Sequence, residues 1–166
     1  GGQQRREEAL LVSWDSLEKK KVELDELIRV RIPQNTKDIS IARSYGDLRE
    51  NFEYKSAKDL QKYLMHRKGE LEREIHRARG TDFKGSDASV VNIGTIVTLT
   101  DANGADVEMT VLGAWDSDPD KKLVSYLSEV GKALVGRKSG ESVQVRDEAT
   151  EQMQTLTIKS IRPFNP

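Results

Sequence analysis

The sequence predicts an α+β protein: an N-terminal antiparallel coiled-coil helical hairpin, then a small β-sheet domain with one short helix. Three observations carry this expectation. Charge is crowded into the front of the chain, with 33 charged residues among positions 1–80 and 22 among positions 81–166. The front half repeats apolar residues at helical spacing. The back half has β-branched runs separated by Gly85, Gly94, Gly104, Gly113, Gly131, Gly136 and Gly140. Two composition regimes in 166 residues argue for two small modules, placed at 4–80 and 90–164 with a linker at 81–89.

The first helix is expected from Glu7, with Glu7, Glu8 and Asp15 near its positive end. Leu10, Trp14, Leu17, Leu24 and Ile28 form its seam. Pro33 interrupts the pattern, and because Ile39, Ala42 and Tyr45 resume it, a kink is expected there and not a stop. Gly46 breaks the run. Asp47 then stands at a plausible N-cap, with Glu50 placed to complete a capping box. A second seam of Phe52, Leu60, Leu64, Leu71, Ile75 and Ala78 ends near Gly80. About 30 residues at ~1.5 Å each make each arm about 45 Å long. Two such helices joined by a short turn fold back on one another.

In the second module, Val90–Leu99 and Val107–Leu112 read as strands, joined through the turn Asp101-Ala102-Asn103-Gly104. Leu123–Val135 carries a helical phase, and Ser142–Val145 and Thr155–Ile161 read as two further strands. Four strands and one helix suggest an α+β sheet domain.

Composition excludes several functions. Without cysteine there are no disulfides, thiol nucleophiles or cysteine-bound metals, and a reducing, cytoplasmic setting is favoured. His66 and His76 are the only histidines, and they read as surface residues of the second helix. No apolar run is long enough to span a membrane and no signal peptide is visible; the Gly1-Gly2 start without Met suggests a cut from a longer protein. A net charge of −1 argues against disorder despite 33% charged residues. Lys19-Lys20-Lys21 is neutralised by Glu18, Glu23 and Asp25 and reads as an exposed helix face. Asp116, Asp118 and Asp120 superficially resemble a calcium loop, but the central glycine and distal glutamate are missing; a solvated acidic loop is expected. No phosphate-binding glycine motif or Ser/His/Asp set is apparent.

The chemical candidate is the hairpin tip. Asp47 and Glu50 are three apart, which places both carboxylates on one side of a helix. Magnesium takes one or two protein carboxylates and fills its other sites with water and phosphate oxygens. Two carboxylates alone hold it weakly, so tight binding is expected only where a partner supplies more oxygens.

The stretch GDLRENFEYKSAK, Gly46–Lys58, resembles the hairpin-tip signature of the bacterial Gre transcript-cleavage factors, roughly GD-L-x-EN-x-EY-x-x-AK. Gly46, Asp47, Leu48, Glu50, Asn51, Glu53, Tyr54, Ala57 and Lys58 match it. ELDELIRVRIP, IGTIVTLTDANG and KALVGRKSGESVQV resemble other parts of the family, so the likeness covers about residues 8–164. It implies an elongation factor that docks on bacterial RNA polymerase through an FK506-binding-protein-like domain and inserts its coiled coil into the secondary channel. There it stimulates Mg²⁺-dependent cleavage of backtracked nascent RNA.

On this resemblance the polymerase keeps the catalysis, and the factor is not itself an enzyme. Asp47 and Glu50 are the shared catalytic and metal-holding acids, with no metal expected on the isolated protein. Arg49, Lys55, Lys58 and Lys62 are expected to face RNA phosphates. The docking segment aligns with Val124–Glu129, so Ser125, Leu127, Ser128 and Glu129 are the expected polymerase contacts. Leu127 stands where the family usually has Asn or Asp, and Glu129 replaces a usual Pro. The protein is expected to be a monomer, associated with the nucleoid through polymerase bound to DNA. The alternative is a non-catalytic secondary-channel regulator or inhibitor. Prolyl isomerase activity would rest on fold analogy alone and lacks an aromatic-lined pocket.

Overall fold

The first helix begins where a serine can cap it. In the computed structural model, which describes residues 8–47, 51–147 and 149–166, Leu10–Ser13 is a strand, β1, and α1 spans Trp14–Glu26. The Ser13 hydroxyl accepts from the Ser16 amide at 3.1 Å, which is the N-cap contact. The helical phase expected from Glu7 therefore starts about two turns too early. Leu10 and Trp14 do fit a helical period, but Val12 is the fully buried residue, and the Leu11 carbonyl accepts from Ala114 N at 2.8 Å. Long-range backbone pairing has overridden local periodicity.

The described residues divide into two compact units, Leu17–Ala78 and Glu8–Ser16 with Arg79–Pro166. The sequence boundaries at 80, 81 and 90 therefore differ from this division, because β1 and the first turn of α1 pack with the later residues. β1 pairs with β2, Ala78–Thr81. Gly80 allows this strand to pass under Trp14, since a Cβ there would lie 2.3 Å from the indole.

The first unit is a helical hairpin. After α1 the helix widens into a π turn at Leu27–Arg31 and continues as α2, Ile32–Arg43; α3 returns over Phe52–Arg77. The π turn explains how Pro33 is passed. Proline lacks an N–H and its ring crowds the carbonyl four residues back. A widened turn, closed by Ile32 N–H to Leu27 O, makes room immediately before it. The inserted residue also moves the seam: Leu27 is buried and Ile28 is 42% exposed, reversing the sequence expectation. Leu17, Leu27, Ile39, Ala42, Leu64 and Leu71 are the buried apolar residues of the hairpin. Phe52 and Leu60, expected in the seam, are exposed. A polar residue takes part instead: Asn35, 3% exposed, donates Nδ2 to the Ala57 carbonyl at 2.9 Å.

Cross-helix charge pairs flank this narrow seam. Lys20 Nζ lies 2.7 Å from Glu74, and Arg67 pairs with Glu23 at 2.8 Å and also with Glu70. The hydrogen bond from Arg67 holds the Glu23 carboxyl below the ordinary glutamate range.

In the second unit five strands form one sheet: β3 Thr95–Thr100, β4 Asp106–Leu112, β5 Leu123–Ser125, β6 Ser142–Arg146 and β7 Met153–Pro163. Their order is β5-β4-β3-β7-β6, and all neighbours are antiparallel except β4 with β5. The sheet thus has one more strand than expected. Val97, Leu99, Val111, Val143, Val145, Leu156 and Ile158 point into the core, where Val91 and Leu134 join them. The added strand comes from residues with an expected helical phase. Leu123–Ser125 pairs beside Thr110–Leu112, and helix α4 is only Glu129–Leu134. Ser128 caps it by accepting from Gly131 N at 3.0 Å, and Gly131 lies so close to β5 that a Cβ would sit 2.1 Å from the Ser125 carbonyl.

Two stability outcomes follow from these contacts. Gly131→Ala should lower the urea stability of the sheet unit by about 1–3 kcal/mol, the usual range for overpacking, read through Trp115 fluorescence; unchanged stability would show that α4 can shift off β5. Glu23→Gln should lower the urea midpoint of the hairpin at neutral pH. A carboxyl whose folded value is depressed adds stability above its unfolded value and loses it as pH falls through the folded value. The midpoint difference from wild type should therefore close on acidification through and below the ordinary glutamate range. It should also shrink with salt, because the Glu23 side chain is 45% exposed.

Candidate functional site: the hairpin tip

The end of α2 and the start of α3 are held by one side chain. Asn51 accepts through Oδ1 from the Tyr54 amide at 3.0 Å and donates through Nδ2 to the Ala42 carbonyl at 2.6 Å. Asn51, and not Asp47, is therefore the N-cap of α3, whose first residue is Phe52. The cap thus lies four residues beyond Asp47, and with Tyr54 at the N3 position it is a simple N-cap and not a capping box. The reason is visible in residue types: asparagine caps as well as aspartate, and its amide can also donate to a carbonyl, which a carboxylate cannot do.

Further contacts shape the same turn. The Ser44 hydroxyl donates to the Ile41 carbonyl at 2.5 Å, and Tyr45 N donates to the Ala42 carbonyl at 3.2 Å. Gly46 adopts φ +109°, a conformation that side-chain-bearing residues avoid. The Arg43 guanidinium lies 5.8 Å from the centre of the Tyr54 ring, and its hydrogen bond to the hydroxyl holds that phenol below the usual tyrosine value.

Asp47 lies exposed in this turn. Tyr45, Asp47, Asn51, Phe52 and Glu53 line one shallow depression, in which Tyr45 is 65% and Phe52 82% exposed. Leu48, Arg49 and Glu50 lie outside the described residues, so the expected pairing of Asp47 with Glu50 has no described geometry. Lys55, Lys58 and Lys62 stand at i, i+3 and i+7 of α3 and share one helix face. Lys55 and Lys62 are exposed, while Lys58 donates to Gln61 Oε1 at 2.8 Å.

The expected docking residues divide into two kinds. Ser125 is 5% exposed; its hydroxyl accepts from Leu127 N at 3.1 Å and its carbonyl from the Ser128 hydroxyl at 2.6 Å. Ser128 is the α4 cap. Both serines shape the turn, while Leu127, 44% exposed, and Glu129 present their side chains to solvent. The groove beside them holds about 330 Å³ and includes Met109, Leu123, Val124, Val130 and Val145 with no aromatic residue.

Asp116 has a role that the sequence does not show. It was expected in a solvated acidic loop, yet its Oδ1 accepts from the hydroxyls of Ser13 and Ser16 and its Oδ2 from Ser13 N at 3.0 Å and Gly113 N at 2.9 Å. Asp118 closes its own turn by accepting from Asp120 N at 3.1 Å. Among the described residues no group of three or more His, Cys, Asp or Glu is placed to hold a metal ion, and no helix is long and apolar enough to cross a membrane.

Comparison with known proteins agrees with this two-part architecture. Residues 10–79 match the family model described as transcription elongation factor, N-terminal, and residues 86–163 match the GreA/GreB C-terminal model. A protein named transcription elongation factor GreA from Treponema pallidum is 41% identical over 135 residues, covering 81% of this chain and 83% of its own length. One of the same name from Borreliella burgdorferi is 42% identical over 141 residues, 84% of this chain; there the match spans only 16% of the relative's length. Among solved structures, the GreA factor homolog 1 of Thermus thermophilus is 20% identical with a TM-score of 0.42, covering 94% of this chain and 99% of that one. The two family models together span nearly all of the described chain, which belongs to the GreA/GreB family of transcription elongation factors.

Proposed function

We propose that this chain binds bacterial RNA polymerase, enters its secondary channel with the helical hairpin and stimulates cleavage of backtracked nascent RNA. The carrying observation is the assignment of roles at the tip. Asn51 caps α3, so the exposed Asp47 is not needed as its N-cap. Family membership supplies the context in which such an acid is useful.

Asp47 offers hard oxygen donors of the kind magnesium accepts, and Glu50 supplies a second carboxylate nearby in sequence. In this reading the polymerase's own aspartates and the RNA phosphate complete the coordination. A magnesium ion held there would supply Lewis acidity at the phosphate and lower the pKa of a bound water. Asp47 and Glu50 lend charge and position, and the enzyme remains the polymerase. The stripe of Lys55, Lys58 and Lys62, with Arg49, attracts the phosphates of the extruded RNA in a salt-dependent way. Leu127 and Glu129, exposed beside the capped turn, face polymerase from the sheet domain.

The test is a stalled, backtracked elongation complex of the cognate polymerase carrying end-labelled RNA. Wild-type protein should shorten the RNA. Asp47→Asn should slow that cleavage by about 10²-fold or more at saturating factor, the scale on which removal of one preorganised electrostatic group acts. Equal shortening by the two proteins would refute the role of Asp47. Absence of shortening by either, together with blocked nucleotide addition, would instead establish a non-catalytic secondary-channel regulator.

A further inference from the structure

The tip contains a closed circuit of contacts. The Ala42 carbonyl accepts from Asn51, Asn51 accepts from the Tyr54 amide, and the Tyr54 ring lies under Arg43, the residue next to Ala42. The orientation of the Asn51 amide follows from its partners: a peptide N–H can only donate and a carbonyl can only accept. Its two halves thus do separate jobs. The oxygen begins α3, and the nitrogen fastens that beginning to the last turn of α2.

Capping alone does not require the second bond. Serine, threonine or aspartate would satisfy the Tyr54 amide equally well. What the Nδ2–Ala42 bond adds is closure of the segment 43–50, which carries both tip acids, by a direct link between its two flanking residues. Tying together the two ends of a connecting segment reduces the conformations open to it.

We propose that Asn51 is a positioning residue, whose amide nitrogen, by gripping the Ala42 carbonyl, sets the placement of Asp47 for its work in the polymerase. This rests on the function proposed above, but the placement itself can be read without activity.

Asn51→Ser retains an acceptor for the Tyr54 amide and has no donor able to span to Ala42. Asn51→Asp retains the acceptor and puts a carboxylate oxygen where the donor was. Both variants should keep the slow hydrogen exchange of the Tyr54 amide. In the ¹⁵N-labelled full chain, the backbone order parameters of Gly46 and Asp47 should fall by about 0.2 relative to wild type, a step toward the flexible range. In the cleavage assay, the rate at saturating factor should fall about tenfold, with the magnesium requirement raised and the half-effective factor concentration unchanged; the tenfold change corresponds to ~1.4 kcal/mol. A merely structural defect would raise the half-effective factor concentration and leave the magnesium requirement unmoved.

If Asn51→Ser also loses Tyr54 protection, Asn51→Asp decides. Order parameters equal to wild type in a variant that keeps its cap would overturn the proposal, as would wild-type cleavage at wild-type magnesium. If even the wild-type protein leaves RNA intact, the cleavage reading fails separately, and the order parameters alone decide whether Asn51 holds Asp47 in place.

Discussion

The first amides of a helix have no carbonyl within the helix to meet, and burying them unmet is costly. Among the described residues three side-chain oxygens meet that demand, on Ser13, Asn51 and Ser128, and the architecture turns on where they stand. Each has a second bond that joins its helix start to something distant or newly turned. Ser13 donates to Asp116, more than a hundred residues away; Asn51 donates to the end of the preceding helix; Ser128 donates to the carbonyl of Ser125. A cap that both accepts and donates fixes where a helix begins and what it begins against.

Between its ends the hairpin has little apolar surface to spend. Leucine and isoleucine are spaced far apart in its seam, so the contacts between them carry unusual weight. Asn35 is tolerated inside because its amide finds the Ala57 carbonyl; left unpaired, the same side chain would oppose packing. Arg67 lies between Glu23 and Glu70, which keeps its charge paired across and along the hairpin. The π turn before Pro33 belongs to the same economy. It keeps the helix running through a residue that would otherwise stop it, at the cost of shifting the seam from Ile28 to Leu27.

The architecture was legible because periodicity and composition are properties of whole segments. The hairpin, the β3–β4 pair with its Asp101–Gly104 turn, and the two last strands all follow from such averages. The failures are local and share a cause. Leu10–Ser13 and Leu123–Ser125 have apolar patterns compatible with either helix or strand, and partners remote in sequence decide for strand. Phe52 matches the period of the second seam, yet it is the first residue of α3 and stands 82% exposed, while Ala42 of α2 is buried near the turn. At the tip, the break between the two helices falls where Gly46 marked it, but the cap of the second helix belongs to Asn51 and not to Asp47. A capping aspartate and a capping asparagine look alike in sequence until the second partner of the amide is known.

That reassignment changes the meaning of the motif. An acid that caps a helix is committed: its oxygens face backbone amides and its charge is offset by the helix dipole. With the cap on a neutral asparagine, starting the helix and the chemistry proposed for the tip fall to different residues of one turn. Asn51 does the holding, and an exposed carboxylate stands in the turn it closes. The same separation appears beside β5, where Ser125 and Ser128 form the turn and Leu127 and Glu129 face outward. In both places residues with paired backbone contacts fix the turn, and exposed side chains stand beside them. Under the function proposed above, substituting Leu127 or Glu129 should alter partner contacts at little cost in folding, whereas substituting Asn51 or Ser128 should disturb the turns first.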